Sequence, residues 1–248
     1  MKRALDFTLA LIALVALAAM LLVIAIFVWI SDFHAPFYTG RRIGRFGREF
    51  KMIKFRSMRP DAWKTGVNST AGNDARITRL GKFLRRFKLD ELPQLVNVLT
   101  GEMSLVGPRP QVPDDAARYT PEERHMLDVR PGVTDLASIV FADEGAILEG
   151  ASDPDLLYNQ IIRPWKSRLA LLYVDRGSLA LDLRILGWTT LALVSRRRAL
   201  NRVASAAARL GADLPLLRAC MRREPLVAYP PPGAAEIVDK YSAKATSA

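Results

Sequence analysis

Sulfur and imidazole are nearly absent from this chain. Cys220 is the only cysteine in 248 residues, so no disulfide and no thiolate zinc site forms within it. The two histidines, His34 and His125, stand far apart and outside any ligand spacing. Histidine-based catalysis and metal binding are thereby left without residues to perform them. Acid is also in short supply: 25 Asp and Glu face 36 Lys and Arg, a formal charge of +11 with a pI near 10.1. Such a balance calls for an anionic partner, whether nucleic acid, an anionic membrane surface or a phosphorylated small molecule. Chemistry, if the chain performs any, belongs to carboxylates and basic residues. The length suits one domain with appendages, and no internal repeat is visible.

Charge is missing altogether from residues 7–30, and so is proline. As a straight helix this stretch rises about 36 Å, enough to cross the hydrocarbon core of a bilayer. It is too long for the apolar region of a signal peptide. Trp29-Ile30-Ser31-Asp32-Phe33 also lacks the small-residue pattern of a cleavage site. Residues 1–32 are therefore expected to form a retained, membrane-inserted helix. Lys2 and Arg3 precede the apolar run, while Arg41, Arg42, Arg45, Arg48, Lys51 and Lys54 follow it. The heavier positive side belongs in the cytoplasm, which puts the body at the cytoplasmic face of the cell inner membrane. Positive flanks on both sides also permit a helix that enters and leaves by one face. The sequence leaves spanning and re-entrant arrangements open.

Beyond the apolar run, residues 50–56 alternate apolar and basic like a short half-buried strand. Residues 60–74 are turn-rich and read as a loop. Thr78 is a suitable cap for a helix whose Leu80, Phe83, Leu84 and Phe87 make one apolar stripe. A second short helix is expected from about residue 91 to 100, with Asp90 at its N-cap, Pro93 in its first turn and Gly101 ending it. Residues 119–129 look helical, 134–141 read as strand or extended chain, and Asp153-Pro154 opens a turn before a helix through Tyr158, Ile161 and Ile162. A long helical region runs from about 181 past 200, with Arg196, Arg197, Arg198 and Arg202 clustered beyond Trp188, Leu191 and Val194. That pattern suits a helix on anionic lipid and equally one packed on the domain. Residues 196–223 form a basic C-terminal helix, and 224–248, with Pro230-Pro231-Pro232, a weakly ordered tail.

The site candidate is Asp90-Glu91. An aspartate followed by a glutamate is a common way to start a helix, and on its own the pair is structural. Its surroundings are unusual. Arg85, Arg86 and Lys88 lie just before it, and Arg109 sits between two prolines in Gly107-Pro108-Arg109-Pro110, which lowers the entropy lost when its guanidinium grips an anion. Helix N-termini and arginines both favour phosphate. A carboxylate among phosphate binders makes sense if a divalent cation bridges the two, or if the carboxylate attacks phosphorus.

Four segments occur together: Lys54-Phe55-Arg56-Ser57-Met58, Asp74-Ala75-Arg76-Ile77-Thr78, Leu89-Asp90-Glu91-Leu92-Pro93-Gln94-Leu95 and Met103-Ser104-Leu105-Val106-Gly107-Pro108-Arg109-Pro110. In this order they resemble the signature of bacterial sugar transferases, the monotopic phosphoglycosyl transferases, over about residues 1–195. The resemblance implies transfer of a sugar 1-phosphate from a UDP-sugar to polyprenol (undecaprenyl) phosphate. UMP is released, in the first membrane step of surface glycan (exopolysaccharide) synthesis. It also implies Mg²⁺, with Asp90 as nucleophile and metal ligand and a covalent aspartyl-phosphosugar. Glu91 assists by positioning, metal support or proton transfer, and Lys54, Arg56, Arg85 and Arg109 bind substrate phosphate. Two departures stand out. Many relatives bend the membrane helix at a Ser-Pro pair, which is missing here. Many also follow the Pro-Gly turn with a Gly-Trp-Ala-Gln-Val-Asn-Gly-Arg type stretch, where this chain has Val133-Thr134-Asp135-Leu136-Ala137-Ser138-Ile139-Val140.

A nucleic-acid binder would want base-stacking aromatics on a basic sheet or a recognition helix, and neither stands out, so no nucleic acid is expected. A non-catalytic membrane scaffold for glycan assembly is the alternative, and intact motif carboxylates speak against it. The expectation is an α-dominated α/β fold: a membrane-inserted helix (1–32), a compact cytoplasmic transferase domain (33–195) and amphipathic interfacial helices. The oligomeric state, a homodimer included, is not written in the sequence.

Overall fold

A computed structural model describes residues 1–65 and 69–240 of the chain. Helix α1, Lys2–Ile30, is long and apolar enough to cross a membrane, with a mean hydropathy of 3.3 over its most apolar window. It stays helical throughout, as expected for a run without proline.

One stripe of α1 lies against the body towards each of its ends. In the first turn Lys2 Nζ donates to the Asp182 carboxylate (2.7 Å) and to the Val106 carbonyl (3.1 Å). Arg3 donates to the Val98 and Leu99 carbonyls. Asp6 is buried and accepts from the Ser104 hydroxyl (2.8 Å) and the Leu105 amide (3.1 Å). Leu9, Ala10, Ala13 and Leu14 join the main core, while Leu21, Ile24, Ala25 and Val28 pack around Phe55 and Leu84. Just past the helix end, Asp32 pairs with the Arg56 guanidinium. Positions 6, 10, 13, 21, 24 and 28 recur on the three-and-four spacing that keeps one helix face inward. The opposite face, including Leu11, Ile12, Val15, Leu22, Val23 and Phe27, is bare.

Strands β1 (Phe37–Ile43) and β2 (Glu49–Phe55) form an antiparallel hairpin in which Phe37 faces Phe55 and Ile43 faces Glu49. The strand expected at 50–56 is β2, shifted by one; its partner is not evident from periodicity. A 3-10 turn at Ala62–Thr65 interrupts the expected loop, and residues 66–68 lie outside the described part. Helix α2 (Arg79–Arg86) begins as expected, with Thr78 Oγ1 accepting from the Gly81 amide (2.9 Å). Gly81 is required here, because a Cβ would sit 1.9 Å from the Ser57 carbonyl oxygen.

Between α2 and α3 (Gln94–Thr100) the structure corrects the sequence reading. Asp90 does not cap α3. It lies inside a 3-10 turn, Leu89–Glu91, entered through Lys88 in the left-handed region (φ 57°), and Pro93 is the residue before α3. Gly101, at φ 89°, ends α3 as expected. Asn97, buried in α3, accepts from the Ile53 amide (3.0 Å) and donates to the Lys51 carbonyl (2.9 Å), which ties the helix to β2.

Strand β3 (Ser104–Val106) pairs in parallel with β4 (Gly132–Thr134). Between them lie α4 (Pro113–Ala116) and a 3-10 segment, Glu123–Asp128, all that forms of the helix expected over 119–129. The strand expected over 134–141 ends at Thr134. Asp135 then accepts from the Ser138 amide and caps α5 (Leu136–Val140), because a short apolar run suits helix and strand alike. Helices α6 (Glu144–Ile147), α7 (Pro154–Ile161), α8 (Arg163–Arg176) and α9 (Leu179–Val194) follow, α7 capped by Asp153 where the turn was expected. Ser195 is non-helical and breaks the expected long helix before α10 (Arg196–Arg209), and α11 is Leu214–Met221. Helix α10 buries Ala199, Leu200, Val203, Ala204 and Ala207 in the main core.

The tail is another correction. The Tyr229 amide donates to the Gln160 carbonyl (3.0 Å), the Thr120 hydroxyl to the Pro232 carbonyl (2.6 Å) and Arg168 to the Pro230 carbonyl (2.9 Å). The Tyr229 ring lies 4.5 Å from that of Trp165. Residues 226–238 thus strap the body instead of trailing from it, while 241–248 lie outside the described residues. The whole is helix-rich with two small sheets, in part the expected α-dominated α/β fold.

Candidate active site

The 3-10 turn carrying Asp90-Glu91 is held between α2, α3 and β2. A left-handed backbone at a lysine costs about 1–3 kcal/mol, tolerated where the surroundings over-determine it. Here it reverses the chain directly before the two carboxylates. Glu91 receives Lys54 Nζ at 3.0 Å and is gripped by both terminal nitrogens of Arg109, one of them at 3.2 Å. Pro108 and Pro110 frame that arginine, as the sequence suggests. Arg85 Nε donates to the Ser57 hydroxyl (2.9 Å), and its charge acts on Asp90.

Asp90 differs from its neighbour. The residue is 6 % exposed, and Oδ1 has no hydrogen-bond partner. Burial, reinforced by the Glu91 charge, pushes the Asp90 carboxyl above the ordinary carboxylate range against the pull of Lys54 and Arg85. Burial pushes Glu91 upward too, but Arg109 and Lys54 prevail and hold it well below that range. Glu91 in turn raises the Arg109 guanidinium, which stays charged.

The structure brings Asp90, Glu91, Lys54, Arg85 and Arg109 together. Arg56 is elsewhere: its guanidinium is spent on Asp32 and on the Ala35 carbonyl (2.8 Å), anchoring the end of α1. Strand β2 ends at Phe55, so Arg56 does not continue the strand face that carries Lys54. Beside Lys54 and Arg109 opens a polar cavity of about 150 Å³, also lined by Arg42, Glu144, Tyr158 and Lys166. Sequence reasoning misses these four, which come from β1, α6, α7 and α8 and share no motif. Gln94 it quotes without a role. Both of its amide atoms are buried without partners, an arrangement expected of a group reserved for a ligand or water.

A magnesium site can be tested against these residues. Among the described residues no group of three or more His, Cys, Asp or Glu could hold a metal. Mg²⁺ is usually bound through one or two carboxylates, waters and substrate phosphates. The orphaned Oδ1 of Asp90, with cations around it, fits an ion that arrives with a diphosphate. It does not fit one caged by protein alone.

The family described as Bacterial sugar transferase matches residues 1–196. The chain belongs to that family. The match spans α1 to α9, including the Asp90-Glu91 turn and Arg109; nearly all of α10, with α11 and the strap, lies beyond it. Among its relatives is the UDP-glucose:undecaprenyl-phosphate glucose-1-phosphate transferase of Xanthomonas campestris pv. campestris, 41 % identical over 201 residues. That alignment covers 78 % of this chain and 39 % of the relative. The exopolysaccharide production protein PSS of Rhizobium leguminosarum bv. phaseoli is 37 % identical over 207 residues, 79 % of this chain and 96 % of that one. The UDP-galactose-lipid carrier transferase of Erwinia amylovora is 42 % identical over 151 residues, covering 55 % of this chain and 31 % of the relative. The chain therefore spans well under half of two of these family members and nearly all of the third.

Proposed function

We propose that this chain is a phosphoglycosyl transferase that moves a sugar 1-phosphate from a UDP-sugar to polyprenol phosphate through an aspartyl intermediate. The unpartnered Oδ1 of Asp90 carries this reading. A caps-only role needs a hydrogen bond that Asp90 does not make, and a structural ion pair needs a partner that Glu91 has and Asp90 lacks. In the first step an Asp90 oxygen attacks the β-phosphorus. An Asp90 O–P bond forms, the bond from that phosphorus to the bridging oxygen breaks, and UMP leaves with the electron pair. In the second step a phosphate oxygen of polyprenol phosphate attacks the same phosphorus and frees the Asp90 carboxylate, giving a polyprenyl-diphosphate sugar.

Lys54 and Arg109, aligned by Glu91, face the charge that builds on the diphosphate, and Arg85 adds to that field from the α2 side. Glu91 is thus a positioning group, neutralised by its two cations. Mg²⁺, held by Asp90 and substrate phosphates, would supply further charge neutralisation there. A raised carboxyl pKa also makes Asp90 the better nucleophile of the pair. An insoluble polyprenyl acceptor demands a site at a bilayer, and the bare apolar face of α1 supplies the contact. The UDP-sugar donor places the body on the cytoplasmic face.

The test is a half-reaction. Wild-type enzyme with UDP-sugar and Mg²⁺ but no acceptor should release about one equivalent of UMP and retain the sugar phosphate. Asp90→Asn keeps the size of the side chain and removes the attacking anion. Its adduct should vanish and its turnover fall more than about a thousandfold. A folded Asp90→Asn enzyme with near-normal turnover would end the covalent mechanism.

A further inference from the structure

The cavity beside Lys54 and Arg109 is not uniformly basic. Lys54 and Arg109, which hold Glu91, share its wall with Arg42, Tyr158, Lys166 and two carboxylates, Glu144 and Asp115. An anionic side chain in a pocket for a diphosphate needs a cation to offset it, as Lys166 does for Glu144, and is put to use where hydroxyls lie opposite it. A carboxylate accepts hydrogen bonds from two hydroxyls and donates none, which suits a sugar ring.

Glu144 is also firmly held. Lys166 Nζ forms an ion pair with its carboxylate and sits 5.2 Å from the Tyr158 ring centre. The next residue is fixed from the opposite side, the Gly72 amide donating to the Gly145 carbonyl at 2.8 Å. Asp143, just before it, is clamped by Arg196 (2.6 Å) and Arg222 (3.0 Å), and Arg222 lies in the part of the chain beyond the family match. Burial favours the neutral carboxyl, yet Lys166 and Arg109 keep Glu144 below the usual range, so it presents an anion. Fixing a side chain from its backbone, its neighbour and its own carboxylate is the arrangement a recognition group needs and a solvated surface glutamate lacks.

We propose that Glu144, oriented by Lys166, is the residue that reads the hydroxyls of the transferred sugar, and that Arg196 and Arg222 hold it in place. This rests on the transferase reading above. The transferred sugar hangs from the β-phosphate that Asp90 attacks, so a pocket continuous with Lys54 and Arg109 lies within its reach. The ribose of the nucleotide offers similar hydroxyls, and the experiment separates the two sources.

Full-length wild type and Glu144→Gln are compared on UDP-sugars that differ at single hydroxyls, following UMP release with polyprenol phosphate as acceptor. Competitive inhibition by UDP is measured alongside. Glu144→Gln should lower kcat/KM for the preferred donor about tenfold or more and compress the ratio between epimeric donors. The KM for polyprenol phosphate and the inhibition constant of UDP should stay unchanged. Glu144→Asp, which keeps the charge and withdraws it by one methylene, should shift the epimer ratio too and serves if the glutamine variant does not fold. An unaltered epimer ratio in a folded variant overturns the proposal. So does a loss of UDP inhibition matching the loss in kcat/KM, which would assign Glu144 to the ribose. Failure of the transferase reading itself looks different: the wild type would then release UMP from no UDP-sugar.

Discussion

Asp90 and Glu91 share a turn and have opposite electrostatic fates, which makes their substitutions diverge. Asp90 has a raised folded-state pKa, so its contribution to stability is present below its unfolded value, near 3.9, and is lost as pH rises through the folded value. At neutral pH the ionised Asp90 strains the fold. Asp90→Asn should therefore raise Tm at pH 7 while abolishing turnover, with the gain disappearing below about pH 4. Glu91 has a depressed pKa, so its contribution is present above its unfolded value, near 4.3, and is lost as pH falls through the folded value. Glu91→Gln should lower stability at pH 7 by about 1–3 kcal/mol, the worth of hydrogen bonds to a charged group. Thermal melts of both variants across pH check the pair, and equal shifts of one sign would refute the assignment. The acid limb of kcat/KM should also lie above the ordinary aspartate range, because the nucleophile must be ionised. These two residues and Arg109 are legible in sequence because motif and neighbours coincide there. Glu144 and Lys166 are not, since 22 positions and two helices separate them and only folding makes them a pair. Arg56 is named by the motif alone, and in the fold its guanidinium turns to Asp32 and the Ala35 carbonyl.

At the scale of the element, α1 is the part whose existence hydropathy declares and whose placement it does not. A run of 29 residues rises about 43 Å. Both ends touch the same body, through Lys2, Arg3 and Asp6 at the start and through Asp32 at the finish. A helix standing across a bilayer would carry one end away from the body. The seven-residue recurrence of inward positions is masked in the sequence, because the outward face is equally apolar. Only Asp6, the acid just before the uncharged run, hints at docking. We expect both ends of α1 to lie on the side of the membrane that holds the body. Cysteines placed at Lys2, Phe33 and Ser152 should all resist a membrane-impermeant thiol reagent in intact cells. Cys220 provides a silent background, being buried with its thiol pushed up to about 12. Labelling at Lys2 alone would mean that the helix spans. Asp6→Ala should cost about 1–3 kcal/mol, since it leaves the Leu105 amide buried without its acceptor and takes one of the two acceptors of the Ser104 hydroxyl. A melting temperature unchanged by that substitution would show that α1 is held by lipid rather than by the body.

For the molecule as a whole, the question is what residues after 196 add to a family fold that ends there. Sequence composition suggests a basic helix and a loose tail, because arginine clusters and proline runs are common in solvated segments. Packing shows otherwise: Ala199, Val203, Ala207 and Cys220 are fully buried in the main core, and the strap binds across α7, α8 and Thr120. Small alanines at helical spacing carry little hydropathy contrast, so this buried face is faint in the sequence even though it is continuous in space. Truncation after Arg223 removes only the strap and keeps the Arg196 and Arg222 clamp on Asp143. Most sugar-phosphate transfer in detergent should survive. Four hydrogen bonds and the Tyr229 ring contact are lost, at roughly 1 kcal/mol apiece, so Tm should fall by about 10–20 °C for a chain of this size. Truncation before Arg196 uncovers core side chains of α5 and α9 as well, and the remaining chain should aggregate or fail to fold. Activity and melting curves of the two truncations, side by side, decide the point. If the longer one melts like the full chain, the strap is a bystander; if the shorter one folds and works, the extension is dispensable and the clamp on Asp143 has no role.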